Sequence, residues 1–170
     1  MKRRFLSYLI VLSMSAVALA QPHIVSYTTL EEFLPQQNFG SYLRGKPTGE
    51  TSSMMGFFTS WAEVTYASSV DSGETMISVK ITDMLNLPSF SRILPNINKN
   101  IPDGYEKTVQ YKGRKILEAE DTTRHTQRLQ FPLAGRFLVD ISGNGDQNMS
   151  QLFGLLDMTD LDGLKKLSNK

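Results

Sequence analysis

The sequence predicts an α+β domain: a single antiparallel β-sheet of about six strands with flanking helices. Three patterns carry that expectation. Residues 61–67 and 75–82 alternate apolar and polar with a period of two around a Gly-containing turn at 71–74, which reads as a β-hairpin. Residues 105–111 with 114–120, and 127–133 with 136–142, repeat the pattern around Lys112-Gly113 and Ala134-Gly135. Apolar residues three and four apart over 149–156 and 161–167 mark two closing helices.

Each element has its own local reason. Residues 21–27 read as an extended lead-in. Thr29-Leu30-Glu31-Glu32 reads as a capping box with Thr29 as N-cap, and Pro35 ends the helix it opens. Gly40, Gly45, Pro47 and Gly49 make 36–53 a loop, with one short edge strand near 41–43. In the first hairpin Ala62, Val64 and Tyr66 face inward with Ile77, Val79 and Ile81, while Glu63 and Thr65 face away. The period then changes. Leu87, Phe90, Ile93, Leu94 and Ile97 suit one face of a crossover helix over 87–101, kinked or broken at Pro95. Pro102-Asp103-Gly104 is a turn, and Tyr105, Lys107, Val109 and Tyr111 share one side of the next strand. Residues 122–126 are a polar connection, 143–148 a loop, and Thr159-Asp160 opens the last helix. No internal repeat or linker divides the chain, so 21–170 reads as one soluble domain.

Residues 1–20 read as a cleavable signal peptide. Lys2, Arg3 and Arg4 precede an apolar run, and Ala18-Leu19-Ala20 supplies small residues at the −3 and −1 positions. Ser7, Ser13 and Ser15 interrupt the run, which falls short of the roughly 20 apolar residues of a spanning helix. The expected destination is the periplasm or the extracellular space, with no membrane span after cleavage. The 18 basic and 17 acidic residues of the whole chain become 15 and 17 once three signal cations leave, a net charge of −2. That balance gives no nucleic-acid footprint. The chain has no cysteine, which removes disulfides, thiol nucleophiles and thiolate zinc sites. No cofactor motif is present, and no cofactor is expected.

Several short motifs follow one another along the chain: Leu34-Pro35, Ala62-Glu63-Val64-Thr65-Tyr66, Val79-Lys80-Ile81-Thr82-Asp83, Gly104-Tyr105-Glu106-Lys107, Arg136-Phe137-Leu138-Val139 and Leu161-Asp162-Gly163-Leu164-Lys165-Lys166-Leu167. Together they resemble a group of secreted bacterial domains of unknown function. The architecture looks like the PsbP/Mog1 type, with a LolA-like half-barrel as the alternative. The resemblance implies a fold and no activity.

Each candidate site also has a plainer reading. Asp140, Ser142 and Asn144, followed by Gly145, match the first ligand positions of an EF-hand-like loop. The twelfth position is the neutral Gln151, and the preceding residues are strand-like, so the alternative is a strand end running into a turn. His125 sits in a polar turn without a G-x-S-x-G elbow, which suits a solvated histidine better than a catalytic one. Glu118 and Glu120 share a strand face, as a carboxylate pair for glycoside hydrolysis does, and as surface acids also do. Lys112, Arg114, Lys115, Arg124, Arg128 and Arg136 would form an anion-binding face only if their strands were neighbours. Trp61, Tyr66, Phe57 and Phe58 line either a groove or the core.

The expected function is therefore non-enzymatic binding of a protein partner or a small apolar ligand, with Trp61, Tyr66, Arg128 and Arg136 as ligand-binding candidates. A small hydrolase or metal-dependent module is the first alternative. An envelope assembly or structural subunit is the second.

Overall fold

The alternation centred on Val64 organises the sheet. The computed structural model describes residues 23–54, 57–68, 75–85, 94–145 and 148–168. Nine strands among them form one open sheet in which every neighbouring pair is antiparallel. In chain order they are β1 (Tyr42–Arg44), β2 (Thr48–Met54), β3 (Phe57–Ser68), β4 (Met76–Asp83), β5 (Asn98–Ile101), β6 (Gly104–Tyr111), β7 (Arg114–Asp121), β8 (Thr126–Leu133) and β9 (Phe137–Asn144). The helices are α1 (Tyr27–Glu31), α2 (Met149–Met158) and α3 (Leu161–Leu167). Across the sheet the order is β1-β3-β4-β9-β8-β7-β6-β5. β2 follows β1 along the same edge of β3, the two separated by a break at 45–47 that holds Pro47.

The count of nine corrects the expected six. The additional strands are β1, β2 and β5. β1 lies one residue from the expected 41–43. β2 runs through the Gly, Ser and Thr residues that read as loop, and β5 is almost wholly exposed. A period-two signal arises only where one side of a strand is buried, and these edge strands lack that contrast. The helix expected over 87–101 is corrected over its described part, where 94–97 is irregular and 98–101 is β5; residues 86–93 lie outside the described residues, as does the turn at 71–74. The Pro95 carbonyl accepts the Thr108 hydroxyl at 2.8 Å, which ties this stretch to β6. The first helix is also shifted. Ser26, not Thr29, is its N-cap, and its hydroxyl accepts the Thr29 N–H at 3.3 Å. The earlier start leaves Leu30 and Leu34 buried.

The helices pack on one face only. Leu30 of α1, Leu152, Leu155 and Leu156 of α2, and Leu161 and Leu164 of α3 join one cluster with Ala62, Val64, Tyr66, Ile77, Val79, Ile81, Phe131, Phe137, Val139 and Ile141. Burial of each Leu, Ile, Val or Phe side chain among them contributes about 1.5–3 kcal/mol. α2 begins with a full capping box: Asn148 accepts the Gln151 N–H at 3.2 Å, and the Gln151 side chain accepts the Asn148 N–H at 2.9 Å. No helix among the described residues is long and apolar enough to cross a membrane.

Candidate functional site: the open face of the sheet

Because side chains alternate along a strand, the residues between the core positions must point away from the helices. Among the described residues no helix covers that second face. Its residues stand in transverse rows set by register. One row runs Glu63, Lys80, Asp140, Gln130, Leu117 and Thr108 across β3, β4, β9, β8, β7 and β6. The next runs Thr65, Ser78, Ser142, Arg128, Ala119 and Glu106. A groove of about 510 Å³ follows these rows, with Glu63, Lys80, Asp140, Arg128, Glu106 and Ile101 among its walls.

The centre of the groove is a hydrogen-bonded charge cluster. Arg128 Nε donates to both Asp140 oxygens, at 2.9 and 3.0 Å, and its Nη2 adds a third contact to Oδ2. Gln130 Nε2 donates to the same Oδ2 at 2.9 Å. Lys80 projects over the Trp61 ring, 4.2 Å from its centroid. Ser78 and Ser142 bond to each other through their hydroxyls at 3.1 Å. Signs alternate along the groove, so a bound partner meets cations and carboxylates in turn.

The four residues named as ligand-binding candidates separate onto two faces. Trp61 and Arg128 lie on the open face. Tyr66 is fully buried in the core; its hydroxyl donates to the Pro35 carbonyl at 2.9 Å, and burial raises its pKa against the opposing effect of Arg44. Arg136 is also buried, on the helix side, paired with Asp83. Neither of these two presents a group to the groove. Phe58 is exposed, and the side chain of Phe57 lies outside the described residues.

The acidic loop candidate is a strand. β9 continues through Asn144, so Asp140, Ser142 and Asn144 share one strand face. Each has a cross-strand partner: Arg128 and Gln130 for Asp140, Ser78 for Ser142, and the Met76 N–H, at 2.9 Å, for Asn144 Oδ1. Gln151, at the twelfth position, is engaged in the helix cap. Among the described residues no group of three His, Asp or Glu side chains is arranged to hold a metal.

The other candidates fall elsewhere. His125 is exposed in the β7–β8 turn with φ +50°, and its carbonyl accepts the Gly145 N–H at 2.9 Å. Glu118 and Glu120 alternate onto the helix side of β7, opposite Lys107 and Tyr105, but Glu120 and Tyr105 also line the end of the groove. Glu118 is buried; it accepts the Tyr105 hydroxyl at 2.6 Å and Lys107 Nζ at 2.8 Å. Burial, then the Glu118 hydrogen bond, drives the Tyr105 pKa far above the ordinary phenol value. The six scattered cations do not converge on one face: Arg136 is internal, Arg124 and Arg128 reach the groove, Arg114 and Lys115 sit at the opposite end of the strands, and Lys112 pairs with Asp157.

Lys80, Glu63 and Ser78, the polar half of the first hairpin, line the groove without being among the candidates the sequence singles out. Their signal was present in the alternation, since whatever faces away from Ala62 and Val79 must share a surface. No protein-family model, curated protein or solved structure matches this chain.

Proposed function

We propose that this is an exported, non-enzymatic binding domain that engages a protein partner through the open face of its sheet. The observation that carries the proposal is the groove itself: it crosses the sheet, is uncovered by any described helix, and alternates cation with carboxylate. A surface patterned in this way selects a partner by charge register more than by apolar area. The shape of the groove also supports binding over chemistry, because Ser78 and Ser142 bond to each other instead of to a base. Export rests on the basic, apolar and Ala-x-Ala order of residues 1–20, and the PsbP/Mog1-like type on motif order with helices on one side of the sheet.

The test is affinity capture from envelope extract with the wild type, a Lys80→Ala/Arg128→Ala variant, and Glu32→Ala as a control on an exposed residue at the end of α1. A partner held by the wild type and the control, but lost by the groove variant, is the expected result. Equal retention by all three rejects the groove as the binding face.

An envelope assembly subunit is the second reading. It is favoured by one row of exposed residues, Leu43, Ala67 and Met76, on adjacent strands at one end of the open face.

A further inference from the structure

The β7–β8 ladder stops short. The two strands pair only from Leu117↔Gln130 to Asp121↔Thr126. Residues 114–116 and 131–133 keep their other neighbours, β6 and β9, but lose each other. Pro132 has no N–H to extend a ladder here. A cleft of about 440 Å³ lies where the strands part, and it shares no lining residue with the open-face groove.

Its lining is chemically divided. Leu94, Pro132 and Leu133 supply an apolar floor, while Arg114 and Lys115 of β7 and Lys165 of α3 supply three cations. One carboxylate offsets them: Asp162, 83% exposed, stands 3.6 Å from Arg114. Lys115 and Lys165 are exposed, and among the described residues neither has an acid within ion-pair distance. Two distant parts of the chain, β7 and α3, therefore bring three cations to an apolar-lined cleft, and one exposed carboxylate offsets only Arg114. A purely apolar ligand leaves those cations unused, and a free inorganic anion leaves the floor wet. The chemistry that uses both is an anionic head on a hydrocarbon chain.

We propose that this cleft binds a single anionic amphiphile, a carboxylate or phosphate head on an alkyl chain. The head sits among Arg114, Lys115 and Lys165, and the chain lies on Leu94, Pro132 and Leu133. It is a second site, sharing no lining residue with the open-face groove.

The test is calorimetric titration of the purified protein with dodecanoate and dodecyl phosphate, each below its micelle-forming concentration. Dodecyl maltoside, inorganic phosphate and phosphatidylglycerol vesicles serve as comparisons. Saturable binding of about one dodecyl anion per chain is expected, weakened about tenfold by Lys115→Gln/Lys165→Gln. Lys165→Gln alone, an exposed substitution on α3, should weaken it about threefold. It also serves if the double variant melts early. Dodecyl maltoside binding as tightly as the anions would overturn the role of charge. Inorganic phosphate binding as tightly would overturn the role of the apolar floor. Binding to vesicles without binding to monomeric dodecyl anions would overturn the single-molecule site in favour of a lipid surface.

Discussion

Arg136 Nη2 lies 2.9 Å from Asp83 Oδ2, and the Asp83 carboxylate also accepts the Val25 N–H at 2.8 Å and the Leu85 N–H at 2.9 Å. The Arg136 guanidinium reaches the core face because of a register feature. Leu133 pairs with Phe137 across a turn in which Ala134 and Gly135 have positive φ, which leaves Arg136 as an extra residue. Arg136 and Phe137 are consecutive yet both buried, with the guanidinium 5.4 Å from the Phe137 ring. A bulge re-aims a side chain in this way. Arg136 also donates to the His23 carbonyl, so the pair ties the lead-in to the end of β4.

Removing one partner strands a buried charge. Arg136→Ala is expected to destabilise the fold by about 3–5 kcal/mol, and an apolar replacement of both, Asp83→Leu/Arg136→Met, to recover much of that loss. Urea unfolding measures both. Hydrogen exchange at Val25 and Leu85 should quicken in each variant, since the carboxylate that holds those two N–H groups is weakened in one and absent in the other.

Tyr105 makes an alkaline prediction. Its phenol pKa is raised by burial first and by the Glu118 hydrogen bond second, and Glu120 adds to the effect. A raised folded pKa stabilises fully below the unfolded phenol value of about 10 and loses that contribution as pH rises through the higher folded value. Ultraviolet absorbance titration should show a late phenol that Tyr105→Phe removes and Glu118→Gln moves downward. Tyr66, raised by burial in the core, should titrate late in both variants.

Asp157 makes the opposite, acidic prediction. Burial pulls its carboxyl pKa up, but hydrogen bonds from Lys112 and Tyr111 outweigh that and hold it below the ordinary value. The contacts are 2.6 Å to Lys112 Nζ and 2.9 Å from the Tyr111 hydroxyl. A depressed pKa stabilises above the unfolded value of about 4 and is lost as pH falls through the folded one. Both ionic partners are substantially exposed, so solvent screening keeps the effect small. The melting-temperature gap between wild type and Asp157→Asn should be present near neutrality and close as pH falls below about 4. A gap independent of pH would assign the contact to packing instead of charge.

How far the fold was legible follows from which strands have two unlike faces. Ala62, Val64, Tyr66, Ile77, Val79 and Ile81 are all fully buried, as their alternation required. β2 and β5 have no such contrast, and the expected crossover helix conflicted with Pro95 inside it. The hairpin turns at Lys112-Gly113 and Ala134-Gly135 were legible because each pair carries the positive φ such turns need. Arg136 was not legible as a core residue, because a bulge is invisible to a period-two count. The open face was half legible: Arg128 stood out as a charge on a strand, while Lys80 needed the register across β4 and β9 to place it beside Asp140.

Arg128 and Asp140 decide whether that face is structural or functional. Arg128 is 50% exposed and Asp140 17%, so much of their attraction is offset by solvent and side-chain ordering. Gln130 remains on Asp140 Oδ2 when Arg128 is removed. Arg128→Ala should therefore cost less than about 1 kcal/mol in urea unfolding. Lys80→Ala should cost about 0.5–1 kcal/mol through its contact with Trp61. Both variants should keep the wild-type circular dichroism spectrum and lose partner capture. If Arg128→Ala instead costs as much as Arg136→Ala, the pair on the open face is part of the framework, and the groove loses its claim as a recognition surface.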